Sequence, residues 1–387
     1  MALARDVRAS HALRTAAPAV RARAEALRLA IVHEWLVTLG GADRVLLALH
    51  EVFPQAPVYT ALYDRTRMPR VFADLDVRTS WLQHLPGAVA HHRWLVPLMP
   101  SAVRGYDLGG YDVVLSSSHA CAKGVALPPG AVHICYCHTP MRYAWDMRDA
   151  YLAALSRPAR PLAAAGLRWL RGWDAAAARS VDHFIANSAF VASRIRRYYG
   201  RDAAVIHPPV DTAFFTPGGE TAEFFLAAGR LVPYKRMDLA VEACTRLHLP
   251  LVVVGDGPEL ARLRAMAGPS VRFAGEVSDE ELRDYYRRCR ALIFPGVEDF
   301  GLVPVEAQAC GRPVIAYGLG GALESVEDGL TGLFFHAQTA EALMAALREA
   351  DRTAFDPRAV RRHAQQFSRL AFASKVAQFV TARAAWR

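Results

Sequence analysis

Short apolar segments that end at a glycine or a polar turn recur along this chain, and each is followed by a stretch of helical length. Leu29–His33 leads to Gly40 and Gly41, and Leu251–Val254 leads to the turn Gly255-Asp-Gly257-Pro. Fully apolar strands that alternate with helices are typical of parallel sheets with helices on both faces. The sequence therefore predicts an α/β protein built from doubly wound, Rossmann-like sheets.

A proline-rich connector between Ile206 and Gly219 interrupts this alternation, and the strand pattern resumes at Glu223. A chain of 387 residues, 53% of them hydrophobic, is long enough to bury two cores of ordinary domain size. We therefore expect two Rossmann-like domains that face each other across a cleft lined by the carboxyl ends of their strands. The predicted segments are a basic N-terminal extension (1–28), an N-terminal domain (29–212), a C-terminal domain (213–365) and a C-terminal helix (366–387).

The N-terminal half carries most of the net charge of +9. Residues 1–210 contain 25 Lys and Arg against 15 Asp and Glu, whereas residues 211–387 contain 21 against 22. A basic surface favours an anionic partner such as a membrane face or a polyphosphate lipid. Residues 87–99 are apolar with a short basic patch, which fits either a bilayer interface or an ordinary core-facing helix. The sequence contains no nucleic-acid-binding motif, so we expect no nucleic-acid partner.

The six cysteines are scattered through apolar segments without the Cys-x-x-Cys spacing of a zinc site. Buried free thiols are typical of a reducing compartment. The sequence also contains no run of apolar residues long enough to span a membrane. We therefore expect a cytoplasmic protein that is either free or peripheral on the inner face of the plasma membrane.

Two cations follow one predicted strand of the C-terminal domain. The strand 224–228 stops at Gly229, and Arg230 and Lys235 come next. Lysine is rare here, since the 46 basic residues include three lysines. A lysine ammonium is a compact charge and an arginine guanidinium binds two oxygens at once, so the pair suits a diphosphate. The alternative interpretation is two solvated cations in a surface loop.

A pair of glutamates, Glu298 and Glu306, brackets a predicted strand-to-helix turn. Pro304 suits the first helical position, because its φ is already fixed and no amide proton is lost there. The amides at the start of such a helix point towards a phosphate, and Glu306 would lie in the first turn. The alternative interpretation is that Glu306 merely complements the helix dipole and Glu298 is solvated. The turn itself consists of Phe300, Gly301 and Leu302.

In this order and spacing, Gly229-Arg230 with Lys235, Gly255-Asp-Gly257-Pro and Glu298-x7-Glu306 resemble the motifs of the family-4 retaining glycosyltransferases of the GT-B fold. The resemblance extends from the first strand to the C-terminal helix. Two stretches of the N-terminal domain, residues 33–45 and 136–145, resemble the branch that contains bacterial mannosyltransferases of surface-polysaccharide and O-antigen assembly.

This resemblance implies transfer of a hexose, with mannose from GDP-mannose favoured, to a saccharide or a polyprenyl-diphosphate-linked acceptor. Arg230 and Lys235 would stabilise the departing diphosphate, Glu298 would contact the transferred sugar, and Glu306 would bind ribose hydroxyls. The family requires no metal and no cofactor beyond the nucleotide-sugar substrate. Its C-terminal helix returns to the N-terminal domain.

The resemblance also implies contacts in the N-terminal domain. His119, just after the segment Ser116–Ser118, matches the position that contacts the donor sugar. Gly40 and Gly41 lack side chains and would let the diphosphate or the acceptor approach closely. His138 and Lys123 are candidates for the acceptor pocket, and the alternative interpretations are a structural histidine and a surface lysine. With Gly40 and Gly41, the residues expected to bind the donor are Gly255, Gly257, Phe300, Gly301, Leu302 and Glu306.

Three other classes of protein stay open at this point. One is a phosphorylase that holds pyridoxal phosphate on Lys235, the second is a nucleotide-sugar epimerase of GT-B architecture, and the third is a nucleotide-binding scaffold without turnover. The yellow colour of bound pyridoxal phosphate, a product formed without any acceptor, and donor binding without transfer would distinguish them.

Overall fold

The structure is a computed structural model that describes residues 18–153 and 155–384. The chain forms two compact units. Among the described residues, we call those from 18 to 207 together with those from 372 to 384 the first unit, and residues 208–371 the second unit. The sequence predicts the two boundaries after residues 212 and 365, whereas the structure places them after residues 207 and 371. Of the predicted N-terminal extension, residues 1–17 lie outside the described residues.

The strands of the first unit are β1 (Leu29–His33), β2 (Val58–Thr60), β3 (Val77–Thr79), β4 (Val113–Ser118), β5 (Val132–Cys137), β6 (His183–Ala186) and β7 (Ala203–Val205). Its α-helices before residue 207 are α1 (Pro18–Ala26), α2 (Gly41–Val52), α3 (Met99–Arg104), α4 (Arg148–Ala153), α5 (Arg160–Arg179) and α6 (Ala189–Tyr199). Short 3-10 helices cover Arg70–Asp74, Trp81–His84, His92–Leu98, Ala122–Gly124 and Arg157–Ala159.

The seven strands of the first unit form one parallel sheet in the order β3-β2-β1-β4-β5-β6-β7. The strand β1 pairs with both β2 and β4, so the chain reverses its direction of winding between β1 and β4. Every residue of β1, β4 and β5 is buried, as expected for strands that are covered by helices on both faces. The loops after β1 and β4 therefore lie at a topological switch point.

The second unit contains the strands β8 (Phe225–Ala228), β9 (Leu251–Val254), β10 (Val271–Gly275), β11 (Leu292–Phe294), β12 (Val314–Tyr317) and β13 (Gly332–Phe335). Its α-helices are α7 (Met237–Leu247), α8 (Leu260–Met266), α9 (Asp279–Arg288), α10 (Leu302–Ala309), α11 (Ala322–Ser325), α12 (Ala340–Ala350) and α13 (Pro357–Gln365), and a 3-10 helix covers Pro233–Lys235. The last helix, α14 (Arg369–Ala384), belongs almost entirely to the first unit.

The six strands of the second unit also form one parallel sheet, in the order β10-β9-β8-β11-β12-β13. Here the switch point falls between β8 and β11, which pair with each other. The predicted doubly wound α/β architecture is confirmed in both units. Among the described residues, no helix combines the length and the apolar composition that crossing a bilayer requires.

Helix α14 completes the core on one face of the first sheet. Phe372, Val376 and Val380 are buried in the same apolar cluster as Ile31 of β1. The Phe372 ring packs edge-on against that of Tyr136, with 5.8 Å between their centroids. Each apolar side chain buried in this way contributes about 1.5–3 kcal/mol. Helix α14 is therefore part of the first unit's core.

Candidate active site

The loops after β8 and β11 bring together two of the predicted charged residues. Lys235 ends the 3-10 helix after β8, and its Nζ lies 2.6 Å from Oε1 of Glu298, in the loop after β11. The two side chains keep 12% and 20% of their exposure, so the ion pair is shielded but accessible. Arg230, in the same loop as Lys235, is exposed. In doubly wound proteins, this edge of the switch point is where ligands bind.

Glycines let these loops approach one another. A Cβ at Gly255 would lie 2.1 Å from the carbonyl oxygen of Gly229, and a Cβ at Gly257 would lie 2.3 Å from that of Leu231. Gly255 also has a φ of 123°, which other residues rarely adopt. A Cβ at Gly229 would lie 2.9 Å from Nζ of Lys235, so this glycine leaves room for the ammonium. The predicted donor-site glycines Gly255 and Gly257 thus hold the loop after β9 against the loop that carries Lys235.

Glu306 lies further along its helix than the sequence predicts. Helix α10 begins at Leu302 with Gly301 as its N-cap, so Glu306 is in the second turn and Pro304 is at the third position. The Glu306 side chain is buried, and its Oε2 accepts a hydrogen bond of 2.9 Å from the hydroxyl of Tyr286 on α9. The helix dipole acts mainly on the first turn. The first-turn placement is therefore corrected, and a neighbouring helix orients this carboxylate.

The side chain of Phe300 is buried in an apolar cluster of the second unit. Its ring centroid lies 5.4 Å from that of Phe367. Gly321 packs against its main chain so closely that a Cβ there would lie 2.2 Å from the Phe300 Cα. The predicted donor contact of Phe300 is thereby limited to its main chain, next to the amides of Gly301 and Leu302.

In the first unit, the carboxylate of Glu34 fills the turn that follows β4. Its Oε1 accepts hydrogen bonds from the Ser118 hydroxyl and from the amides of His119 and Ala120. Its Oε2 accepts from the amides of Cys121 and Ala122, and the five distances run from 2.6 to 3.0 Å. Sequence reasoning gave Glu34 no definite role. Its place directly after β1, at the switch point, was the signal that could have identified it.

Three histidines lie behind this turn in a connected arrangement. The ring nitrogens of His33 lie 3.1 Å from the Ser117 hydroxyl and 3.1 Å from the Asp43 carboxylate. The same hydroxyl lies 2.8 Å from Nε2 of His138. The His138 ring packs edge-on against His119, with 6.4 Å between centroids. The two histidines singled out in the sequence are thus brought together.

Burial fixes the protonation state of these two histidines. Withdrawal from water lowers the pKa of His119, although the nearby Glu34 carboxylate opposes this effect. Burial lowers the pKa of His138 further, and the neighbouring His119 and His33 act in the same direction. Both imidazoles are therefore neutral at neutral pH, and a neutral imidazole can donate one hydrogen bond and accept another.

Gly40 and Gly41 form the start of α2. The Gly40 amide donates a hydrogen bond of 2.7 Å to the Asp43 carboxylate, which also contacts His33. The predicted glycine loop is therefore connected through Asp43 and His33 to the histidines behind the turn.

Lys123 is in the interior rather than on the surface. It is 1% exposed, it forms an ion pair with Asp174 on α5, and its Nζ donates a hydrogen bond of 2.7 Å to the carbonyl oxygen of Ala120. The attraction of Asp174 outweighs the effect of burial and raises the pKa of Lys123, so the amine stays charged. A lysine held in this way cannot reach an acceptor phosphate. The prediction of Lys123 as an acceptor contact is wrong, and so is its reading as a surface lysine.

Two family models match consecutive parts of the chain. The model described as Glycosyltransferase Family 4 matches residues 39–214, and the model described as Glycosyl transferases group 1 matches residues 212–365. Together with the two doubly wound units, these matches define a glycosyltransferase of the GT-B fold. The chain belongs to the family-4 glycosyltransferases.

Solved structures agree with this fold. Anabaena HepE in complex with UDP and glucose matches with a TM-score of 0.67 and 18% identity, over 92% of this chain and 99% of that one. Sucrose-phosphate synthase from Thermosynechococcus elongatus matches with a TM-score of 0.70 and 18% identity, over 92% of this chain and 100% of that one.

Curated relatives share more sequence. A D-inositol 3-phosphate glycosyltransferase of Geodermatophilus obscurus is 29% identical over 83% of this chain and 70% of its own length. Those of Streptomyces coelicolor and Mycolicibacterium smegmatis are 33% and 31% identical, over 52% and 59% of this chain. The chain spans 55% and 56% of the length of these last two relatives.

Proposed function

We propose that this protein transfers a hexose, with retention of anomeric configuration, from a nucleoside-diphosphate sugar to a saccharide or lipid-linked acceptor. The observation that carries the proposal is the shielded pair of Lys235 and Glu298 at the switch point of the second unit. A cation held beside a carboxylate at this edge suits a ligand that presents phosphate oxygens and sugar hydroxyls to the same place.

Negative charge grows on the diphosphate as the bond to the sugar breaks. In the proposed mechanism Lys235, Arg230 and the amides at the start of α10 stabilise that charge. Glu298 orients the Lys235 ammonium at 2.6 Å and contacts the transferred sugar. One fixed donor of this kind is worth about 3 kcal/mol, or about 10²-fold in rate.

The remaining contacts follow from the same assignment. Glu306, held by the Tyr286 hydroxyl, binds the ribose hydroxyls with a carboxylate whose orientation is already set. His119 contacts the donor sugar as a neutral imidazole, and His138 supports it from behind. Gly40 and Gly41 provide the close approach to the diphosphate or the acceptor. No step in this scheme draws on a metal or a cofactor.

The proposed sugar is mannose, carried as GDP-mannose, on the strength of the branch resemblance in residues 33–45 and 136–145. The curated relatives are named D-inositol 3-phosphate glycosyltransferases, and HepE has been solved with UDP-glucose. A UDP-sugar donor and an inositol phosphate acceptor are therefore the second candidate. The proposed setting of the first candidate is surface-polysaccharide synthesis at the cytoplasmic side of the membrane.

A membrane-facing surface on the first unit would suit a lipid-linked acceptor. Trp94 is 79% exposed in the segment 87–99, and Trp169 and Leu162 are exposed on α5. The segment from Arg157 to the end of α5 carries five arginines, and its one acidic residue is paired internally with Lys123. Exposed aromatic and aliphatic side chains beside arginines are typical of helices that lie at a bilayer interface. We propose an anionic bilayer as the partner of this surface.

The experiment that tests the transfer proposal is a thermal-shift panel followed by an assay with acceptors. The panel contains GDP, UDP and ADP with their mannose and glucose conjugates. A donor at about a hundred times its Kd adds about 2.7 kcal/mol of stability. We expect GDP-mannose to give the largest shift, and proton NMR of the transfer product to show the anomer of the donor. If no nucleotide sugar shifts the transition, the proposal is wrong.

The same assay separates the competing functions. Conversion of the donor hexose to its epimer in the absence of an acceptor indicates an epimerase. Donor binding without transfer to any acceptor indicates a scaffold. A phosphorylase would carry pyridoxal phosphate on Lys235. The observed ion pair argues against that role, because the amine must lose its proton to form a Schiff base.

A further inference from the structure

The turn after β4 is a ring of backbone donors closed around the buried carboxylate of Glu34, which directly follows β1. Four consecutive amides, those of residues 119–122, point at the two oxygens of Glu34, and the Ser118 hydroxyl adds a fifth bond. Glu34 is 1% exposed. A buried carboxylate is costly unless its oxygens are bonded, and here both are.

The charge on Glu34 is kept by its surroundings. Burial alone would raise the pKa of this carboxyl, but His119, the positive Lys123 and the amides of the turn together hold the pKa below its ordinary value. Glu34 is therefore an anion at neutral pH.

The turn is held from its other side as well. Lys123 Nζ binds the Ala120 carbonyl oxygen and pairs with Asp174. The Asp174 carboxylate in turn accepts hydrogen bonds of 2.8 Å from the Trp145 indole and 2.7 Å from the Tyr199 hydroxyl. The buried anion Glu34 thus accepts hydrogen bonds from the amides of the turn, and the buried cation Lys123 donates one to a carbonyl oxygen of the same turn.

We propose that Glu34 is a positioning residue that sets His119 for its contact with the donor sugar. The geometry gives the reason: His119 lies in the turn, its own amide is bonded to Glu34 at 3.0 Å, and its ring rests edge-on against Trp35, which follows Glu34 in the chain, at 5.0 Å. Glu34 thus fixes the main chain of His119, and the next residue, Trp35, fixes its ring. This inference rests on the proposed glycosyl transfer for its activity readout.

The substitution Glu34→Gln removes the charge and keeps the shape. A glutamine offers one oxygen and one NH₂ group, so two amides of the turn then face a donor instead of an acceptor. The turn must move to relieve this mismatch. A displacement of the order of 1 Å at a catalytic contact costs about 10²-fold in rate.

The test compares Glu34→Gln, Glu34→Asp and the control Asp182→Asn in the full chain. Asp182 accepts a hydrogen bond of 2.8 Å from the His133 amide at the opposite edge of the same sheet, so the control also converts a carboxylate to an amide at a backbone bond. For Glu34→Gln we expect kcat of transfer to fall about 10²-fold, donor KM to change less than about threefold, and amides 119–122 to exchange faster. For Glu34→Asp, kcat and the exchange rates should lie between those of the wild type and Glu34→Gln. Asp182→Asn should leave kcat and the exchange of amides 119–122 unchanged.

Several results would overturn the proposal. It is wrong if Glu34→Gln keeps kcat and the exchange of amides 119–122, or if Asp182→Asn lowers kcat equally. Should Glu34→Gln not fold, Ser118→Ala removes one of the five bonds and should still lower kcat severalfold and speed exchange in the turn; an unchanged Ser118→Ala then refutes it. If the wild-type chain transfers no sugar, the proposed function fails, whereas the exchange measurement still decides whether Glu34 holds the turn.

Discussion

Lys235 and Glu34 are both charged residues at a switch point, but their surroundings differ. Glu34 is bonded to five donors in the interior, so its charge is compensated by fixed main-chain dipoles. Lys235 forms an ion pair with the Glu298 carboxylate, and its side chain keeps some exposure to solvent. A buried charge enclosed by hydrogen-bond donors serves structure, whereas a charge that keeps some exposure to solvent can still act on a ligand.

Lys235→Ala should lower transfer by about 10²-fold or more without unfolding the protein, because it removes a fixed cation beside the departing diphosphate. The matched control is Lys375→Ala, since Lys375 is an exposed lysine on α14. Steady-state kinetics with saturating acceptor measure the change, and circular dichroism reports the fold. Wild-type turnover in Lys235→Ala removes the proposed role of this residue.

The sequence could identify the types of residue that form the site, but not the contacts that orient them. Arg230, Lys235, Glu298 and Glu306 stand out by composition and spacing, but Tyr286, which orients Glu306, lies twenty positions away on another helix. A side chain that bonds across helices leaves no periodic signal. Lys123 shows the converse error, because the sequence made it a candidate acceptor contact while its environment made it an internal ion pair.

At the scale of elements, the second unit's site depends on backbone packing between loops. The loops after β8 and β9 touch where the Gly229 carbonyl meets Gly255. Such a contact exists only without a Cβ on one side. The glycine turns that follow β8 and β9 therefore help to set the position of Lys235.

Gly255→Ala should destabilise the second unit by at least about 1–3 kcal/mol from backbone strain alone, before any clash with Gly229. Donor affinity should fall as well, because the loop that carries Lys235 must shift. Differential scanning calorimetry and the donor thermal shift measure both effects. The control is Gly166→Ala on α5, where a Cβ meets nothing within 4 Å and the helix should gain up to about 1 kcal/mol. A Gly255→Ala protein with wild-type stability and donor affinity would contradict the close packing described above.

At the scale of the whole molecule, charge is divided unequally along the chain, with the excess of basic residues before residue 210. The exposed tryptophans Trp94 and Trp169 belong to the same first unit. An apolar surface edged with arginines is attracted to anionic lipids and weakly to neutral ones, and salt screens the attraction.

The chain should therefore sediment with vesicles that contain phosphatidylglycerol and much less with vesicles of phosphatidylcholine. Arg168→Ala should weaken this binding by about 1 kcal/mol, or roughly fivefold, and Trp169→Ser should also weaken it. Leu330→Ser is the control, because Leu330 is an exposed apolar residue of the second unit. Equal binding to both lipids, or no change in either first-unit variant, would show that this surface does not bind a bilayer.

The sequence by itself determined the architecture of this protein, because strands buried on both faces are mainly apolar and the glycine turns that end several of them are local features. The residue types for a diphosphate and a sugar also follow from local composition and spacing. Tertiary structure alone decided which charges remain available: Lys235 beside Glu298 at a switch point, Lys123 sealed against Asp174, and Glu34 closed inside a ring of amides. The physical reason is that the state of a charge depends on the partners and the solvent around it, and these come from segments far apart in the chain.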